Sequence, residues 1–223
     1  ATCAGLTITP TNTNTTLTHA ASTNSLTVNG PVTINQPTSN TRTGEWIINA
    51  GSATVSGLIT FAGTNTTTTR IGRITITTGT LNADGGITFT GSASATKVIL
   101  MSGGAGILNL KGALTVPANS STLTAGTTST FNYADNVAQT INFFSAGAYA
   151  NLTLNNTEGT TGATLGAAVT ATNVTQNISV NSGLFRTNNL AMAMAASKTL
   201  TVALGATMDA GTTSIAPGTT AAT

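Results

Sequence analysis

Gly57-Leu58-Ile59-Thr60-Phe61-Ala62-Gly63 returns further along the chain as Gly85-Gly86-Ile87-Thr88-Phe89-Thr90-Gly91. In both copies two apolar side chains flank a threonine, the alternation of a half-buried strand, and glycines bracket it as turn residues. At the same offset Ile48-Asn49-Ala50-Gly51 becomes Ile76-Thr77-Thr78-Gly79, and a looser third copy reads Gly112-Ala113-Leu114-Thr115-Val116. Further on, Ile178-Ser179-Val180-Asn181-Ser182-Gly183-Leu184-Phe185 matches Ile74-Thr75-Ile76-Thr77-Thr78-Gly79-Thr80-Leu81. Leu200-Thr201-Val202-Ala203-Leu204-Gly205 then reopens that pattern at a shorter offset. The recurring unit is an alternating strand, a glycine and a further apolar position, with a period of about 22–28 residues, the size of one solenoid repeat.

A unit of that size cannot bury its own apolar face, so neighbours must stack on it. Alternation also fills the rest of the chain, as in Leu6-Thr7-Ile8, Leu26-Thr27-Val28, Val32-Thr33-Ile34 and Leu152-Thr153-Leu154, while helical periodicity is almost absent. The expected fold is all-β: a β-solenoid (β-helix) of about 8–10 coils, each about 4.8 Å above the last, giving a rod about 40 to 50 Å long. Its core ladder is expected from Ile59, Phe61, Ile74, Ile76, Ile87, Phe89, Leu114, Val116, Ile178, Val180, Leu200 and Val202, with Thr and Asn positions facing outward.

Residues 1–43 read as N-terminal strands with an assembly or capping role, and 44–130 as solenoid coils. Residues 131–151 read as an aromatic-rich irregular segment, 152–211 as further coils and 212–223 as a tail or linker. The stretch 131–151 holds Phe131, Tyr133, Phe143, Phe144 and Tyr149. That concentration reads as packing at a break in coil regularity rather than as a ligand platform, because stacking sites need exposed rings. Trp46, the only tryptophan, is assigned to the core or its margin.

Charged residues make up 5% of the chain, against about 25% in an ordinary soluble domain. Seven Lys+Arg and five Asp+Glu leave a net charge of +2. Nucleic acid is not an expected partner, since phosphate binding needs clustered cations and the closest pair is Arg70 and Arg73. Threonine occupies 52 positions and keeps an extended surface wettable without charge. The 39% hydrophobic content argues against disorder. No run approaches the roughly 18 apolar residues of a spanning helix, so no membrane span is expected.

Catalysis finds little to use, and no enzyme activity, cofactor or metal is expected. His19 is the sole histidine, with no acid or nucleophile near it in sequence. The acids Glu45, Asp84, Asp135, Glu158 and Asp209 are scattered, whereas solenoid lyases and hydrolases need acidic clusters. No zinc spacing, P-loop or Gly-Asp calcium repeat occurs. Cys3 stands alone, so no intrachain disulfide forms; a small unpaired side chain, an intermolecular crosslink and a lipid anchor stay open as readings.

Asn151-Leu152-Thr153-Leu154-Asn155-Asn156, followed by Val174-Thr175-Gln176-Asn177-Ile178-Ser179-Val180-Asn181-Ser182-Gly183-Leu184-Phe185, resembles repeats of large secreted bacterial surface proteins, the adhesin-like β-solenoids. The resemblance covers about residues 44–210 through degenerate motifs. It implies export, a rod-shaped scaffold and a place at the cell surface. The chain is short for such an adhesin and shows no C-terminal sorting domain, so a fragment or a short assembling subunit is expected. No signal peptide is recognisable, which fits the mature form of a secreted protein.

The function expected first is an extracellular structural or adhesive module, a subunit of a head-to-tail surface filament. Leu6 and Ile8, in an opening strand without a charged or proline-rich cap, are the candidate assembly strand for end-to-end pairing into a homopolymer. Ice binding is the alternative, through Thr-x-Thr at Thr11-Asn12-Thr13, Thr75-Ile76-Thr77 and Thr88-Phe89-Thr90, although the drifting period weighs against a strict array. A carbohydrate-binding module that engages surface glycans through Asn/Thr ladders is the third.

Overall fold

A computed structural model describes residues 1–64, 67–91, 96–212 and 215–216. Among them no helix forms, and successive strands pair in parallel. Each coil supplies one strand to each of three faces in turn, except that the coil beginning at Asn151 gives the third face only the isolated bridges of Val169 to Met192 and Val174 to Tyr149. The first face is a nine-stranded sheet in chain order: Thr2–Cys3, Ser25–Val28, Ser52–Val55, Thr80–Ala83, Ile107–Leu110, Thr130–Tyr133, Asn151–Leu154, Ile178–Val180 and Leu200–Val202. The second face begins with Leu6–Ile8, Val32–Asn35, Ile59–Ala62, Ile87–Phe89 and Leu114–Thr115. It resumes as a separate four-stranded sheet of Gln139–Ile141, Ala163–Leu165, Leu184–Arg186 and Thr207–Asp209. The third face runs through Thr15–His19, Arg42–Ile48, Arg70–Ile76, Lys97–Met101, Thr122–Ala125 and Ala146–Gly147. It closes with the pair Met192–Ala193 and Ile215–Ala216. The chain is therefore a three-faced parallel β-solenoid of about eight turns, a rod roughly 40 Å long at the spacing of paired strands.

The repeat in the sequence is the register of the sheets. Ile59, Thr60 and Phe61 lie opposite Ile87, Thr88 and Phe89, and Ile87 lies opposite Leu114. Ile48 lies opposite Ile76, and Ile178 opposite Leu200. One equivalence fails. Ile74–Ile76 is on the third face and leads to Leu81 on the first, whereas Ile178–Val180 is on the first and leads to Leu184 on the second. A strand, a glycine and an apolar position describe more than one corner of the triangle, so that match identified a corner without its face.

Alternation sends two side-chain columns of the first face inward. One runs Leu26, Ala53, Leu81, Leu108, Phe131, Leu152, Ile178 and Leu200. From the core ladder read in the sequence, Ile59, Phe61, Ile74, Ile76, Ile87, Phe89, Leu114, Ile178 and Val180 are buried. Val116 and Leu200 are partly buried against the same core. Val202 is not core: it is 42% exposed, because no strand among the described residues covers the far side of Leu200–Val202. At the corner between the first two faces the coils approach too closely for any Cβ. A methyl on Gly85 would lie 2.3 Å from the carbonyl carbon of Gly57, and one on Gly57 would lie 2.5 Å from that of Gly30.

The segment boundaries shift accordingly. Residues 1–43 are coils in full register from Thr2 onward, since Thr2 and Cys3 pair with Thr27 and Val28, and Leu6–Ile8 with Val32–Ile34. Of the stretch 212–223, Ile215–Ala216 is a strand of the third face; residues 213–214 and 217–223 lie outside the described residues. Residues 131–151 keep the first face continuous but coincide with the break in the second. There, side-chain amides replace the missing ladder. Gln139 Nε2 donates to the carbonyls of Leu110 (3.0 Å) and Gly112 (3.1 Å), and Asn142 Nδ2 to that of Leu114 (2.8 Å). Phe131, Tyr133, Phe144 and Tyr149 are buried beneath this seam, with Phe131 and Tyr149 ring centroids 4.9 Å apart. The aromatic cluster is packing.

Candidate functional surfaces

Because inward positions alternate with outward ones, each face also carries a polar column. On the second face Thr7, Thr33, Thr60, Thr88 and Thr115 stand one above another in unbroken register. Their Cα atoms repeat at the strand spacing of about 4.8 Å. The variation in coil length is taken up at the corners, so it never reaches this column. The next outward column on the same strands is mixed: Thr9, Asn35, Ala62 and Thr90. Within it Asn35 Nδ2 donates to Thr9 Oγ1 at 2.9 Å.

The first face carries the longest polar column, Thr2, Thr27, Thr54, Asn82, Asn109, Asn132, Thr153, Ser179 and Thr201. Asn82 donates to Thr54 Oγ1 (3.2 Å), Asn109 to Asn82 Oδ1 (2.8 Å) and Asn132 to Asn109 Oδ1 (2.9 Å). Asn155 continues the chain to Asn132 at 2.9 Å. Amide donors and acceptors used along the ladder are withdrawn from any ligand, so this column braces the rod.

The Thr-x-Thr motifs read in the sequence are dispersed. Thr11 and Thr13 lie in the segment between two strands, off any sheet. Thr75 is buried and donates to Glu45, and Thr77 donates to Asn49 O at 2.7 Å. Only Thr88 belongs to the stacked column on the second face. Leu6 and Ile8 form the second-face strand of the first coil; Ile8 is buried and Leu6 partly so.

The ionisable groups are dispersed as well. His19 Nε2 lies 2.9 Å from the carbonyl of Asn24, and Cys3 is free and half-buried. Among the described residues no three His, Cys, Asp or Glu side chains gather at one place. Arg73 forms a two-bonded pair with Glu45, at 2.8 Å on each arm. Lys97 points inward beside Gly72 and is fully buried; its Nζ donates to the carbonyls of Gly63 and Thr90. Burial pulls its pKa down from 10.5. Glu158 accepts from the backbone N–H groups of Gly162, Thr161 and Thr160, which hold its carboxyl below the usual range. Nothing in the sequence marks Lys97 as buried, since only the register sets it in a column with Thr15, Gly44 and Gly72.

Fold and surfaces together define a class: a charge-poor, three-faced β-solenoid whose outer faces carry ordered hydroxyl and amide columns. No protein-family profile, curated protein or solved structure matches this chain.

Proposed function

We propose that the chain is an extracellular structural and adhesive β-solenoid, a subunit of a head-to-tail surface filament. The observation that carries this reading is the pair of uncovered sheet edges among the described residues. At one end Thr2–Cys3, Leu6–Ile8 and Thr15–His19 each have a strand on one side only. At the other end the same holds for Leu200–Val202, Thr207–Asp209 and Ile215–Ala216. Both ends present the three faces in the same chain order, and Leu17 at one and Val202 and Leu204 at the other are exposed apolar side chains. Unpaired parallel edges over an apolar core template further strands. A surface kept soluble by hydroxyls and amides tolerates changing salt and pH, which suits the outside of a cell. Leu6 and Ile8 then serve in place, as part of the stacking coil. Size-exclusion chromatography and negative-stain microscopy of the purified chain test the reading: filaments one coil-stack wide are expected, and a stable dilute monomer overturns it.

The threonine column of the second face favours ice binding as a second reading. A flat row of hydroxyls and methyls at one fixed spacing can hold an ordered water layer. Thermal hysteresis that disappears in Thr60→Tyr/Thr88→Tyr, with the fold intact by circular dichroism, is its expected signature; an absence of hysteresis in the unaltered chain removes it.

A further inference from the structure

Seven cations and five acids leave little charge to misplace, and every acid has its partner. Glu45 holds Arg73, Asp84 holds Lys111 and Asp209 holds Arg186. Glu158 is satisfied by the backbone of its own loop, and Asp135 accepts from Asn136 N. Among the described residues four cations have no carboxylate: Lys97 is turned inward onto carbonyls, Lys198 donates to Gln176 Oε1 at 2.7 Å, and Arg42 and Arg70 remain. These two arginines are also each other's register partners, at the first position of adjacent third-face strands. Like charges set directly opposite on neighbouring strands oppose pairing, and here the two stand one coil apart with no counter-charge between them.

Their side chains are held in the same way. Arg42 Nε donates to Asn12 O at 2.8 Å, and Arg70 Nε to Asn40 Oδ1 at 2.9 Å, so each guanidinium is anchored to the loop of the preceding coil. The anchoring oxygens are neutral and both arginines are half-exposed. Among the described residues Nε is the only guanidinium nitrogen engaged. The two guanidinium groups thus lie one coil apart at the corner between the second and third faces. Asn12, Ser39 and Asn40 border them, with Ser39 Oγ donating to Asn12 Oδ1 at 2.6 Å.

We propose that this corner binds the oxyanion groups of an acidic polysaccharide, one sulfate, phosphate or carboxylate bridging Arg42 and Arg70. The forked donors of a guanidinium match the paired oxygens of such groups. The amide and hydroxyl side chains alongside suit sugar hydroxyls. A nucleic acid fits less well, because two cations give a short phosphate footprint and, among the described residues, no aromatic ring borders the corner for bases to stack on. The inference does not depend on filament assembly.

Dextran sulfate, polygalacturonate and neutral dextran are the probes, with affinity measured by calorimetry on the full chain and assembly followed separately by sedimentation. Dextran sulfate or polygalacturonate is expected to bind and neutral dextran not to. The two acidic polymers distinguish sulfate from carboxylate as the recognised group. Arg42→Gln/Arg70→Gln is expected to weaken binding at least about tenfold, and Arg186→Gln to leave it unchanged. The log–log salt dependence should have a slope of about −1.5, as for two neutralised charges. Equal binding by the double variant, or equal loss in Arg186→Gln, overturns the proposal. Should the double variant fail to fold, the Nε–H resonances of Arg42 and Arg70 in the unaltered chain decide: they must shift on adding the acidic polymer, and unmoved resonances overturn it.

Discussion

Phe61 and Phe89 stack face to face, ring centroids 4.6 Å apart and planes 7° from parallel. Their backbones are register partners, so the rings repeat at the spacing of the strands that carry them. Phe144 meets Phe89 edge-on at 5.8 Å. Stacking therefore joins the regular coils to the seam where the second face breaks, through one column of aromatic side chains.

Phe89→Ala should cost about 3–5 kcal/mol, because it removes a ring packed on both sides and leaves a cavity between coils that cannot collapse. Thr60→Ala, on the outward side of the neighbouring coil's strand, should change stability by no more than about 0.5 kcal/mol. Urea unfolding of the two variants measures both. Comparable losses would mean that the outward column bears as much of the stability as the core.

The corner glycines allow a second test. Gly85→Ala places a methyl 2.3 Å from the carbonyl carbon of Gly57, and that atom belongs to backbone held in the coil below. Relief requires the coils to separate at this corner, so the expected loss is about 3 kcal/mol or more. Gly159→Ala is the control, since nothing lies within 4 Å of the added methyl. Chain entropy alone favours alanine at both positions, so thermal melts that fall equally for both would mean that the close approach at Gly85 is not the source of the cost.

The solenoid was legible because its period appears twice in nearly the same letters, at Ile59-Thr60-Phe61 and Ile87-Thr88-Phe89. What escaped the sequence is what depends on where a corner falls. Ile178–Val180 repeats Ile74–Ile76 in letters while lying on another face, because short parallel strands look alike on every side of the triangle. The pairing of Arg42 with Arg70 was invisible for a related reason. A full coil of chain separates them, and only the register sets them side by side. The first coils were likewise hidden: Leu6-Thr7-Ile8 carries no glycine-bracketed copy of the repeat, yet its threonine begins the column that ends at Thr115.

Gln139 stands where the second face divides, and its side chain makes four hydrogen bonds. It donates to Leu110 O and Gly112 O and accepts from Asp135 N (3.2 Å) and Asn156 Nδ2 (2.9 Å). Gln139→Leu keeps the bulk and removes all four bonds, while Leu110 O keeps Ala134 N and Asn156 Nδ2 keeps Val137 O, at a cost of about 3 kcal/mol. In a stack stabilised by nearest-neighbour contacts, weakening one interface should also uncouple the two sides. Two resolved calorimetric transitions are expected in place of one; a single transition at lowered temperature would show that the continuous first face alone keeps the rod cooperative.

Alkaline pH should first strengthen the fold and then undo it. The folded-state pKa of Lys97 lies below 10.5 through burial, so between those two values the unfolded chain holds more protons and stability rises with pH. Tyr133 and Tyr149, fully buried with their hydroxyls 3.1 Å apart, are both pushed above 10.0 by burial. Their contribution is intact below the unfolded value and is lost as pH climbs through the folded values. The urea midpoint should therefore climb toward about pH 10 and fall beyond it. Lys97→Met should flatten the rising limb and leave the falling one. Tyr133→Phe should shift the falling limb instead, because it removes one of the two phenols that must ionise in the core. A rising limb that survives Lys97→Met would mean that the ammonium buried beside Gly63 and Thr90 is not its source.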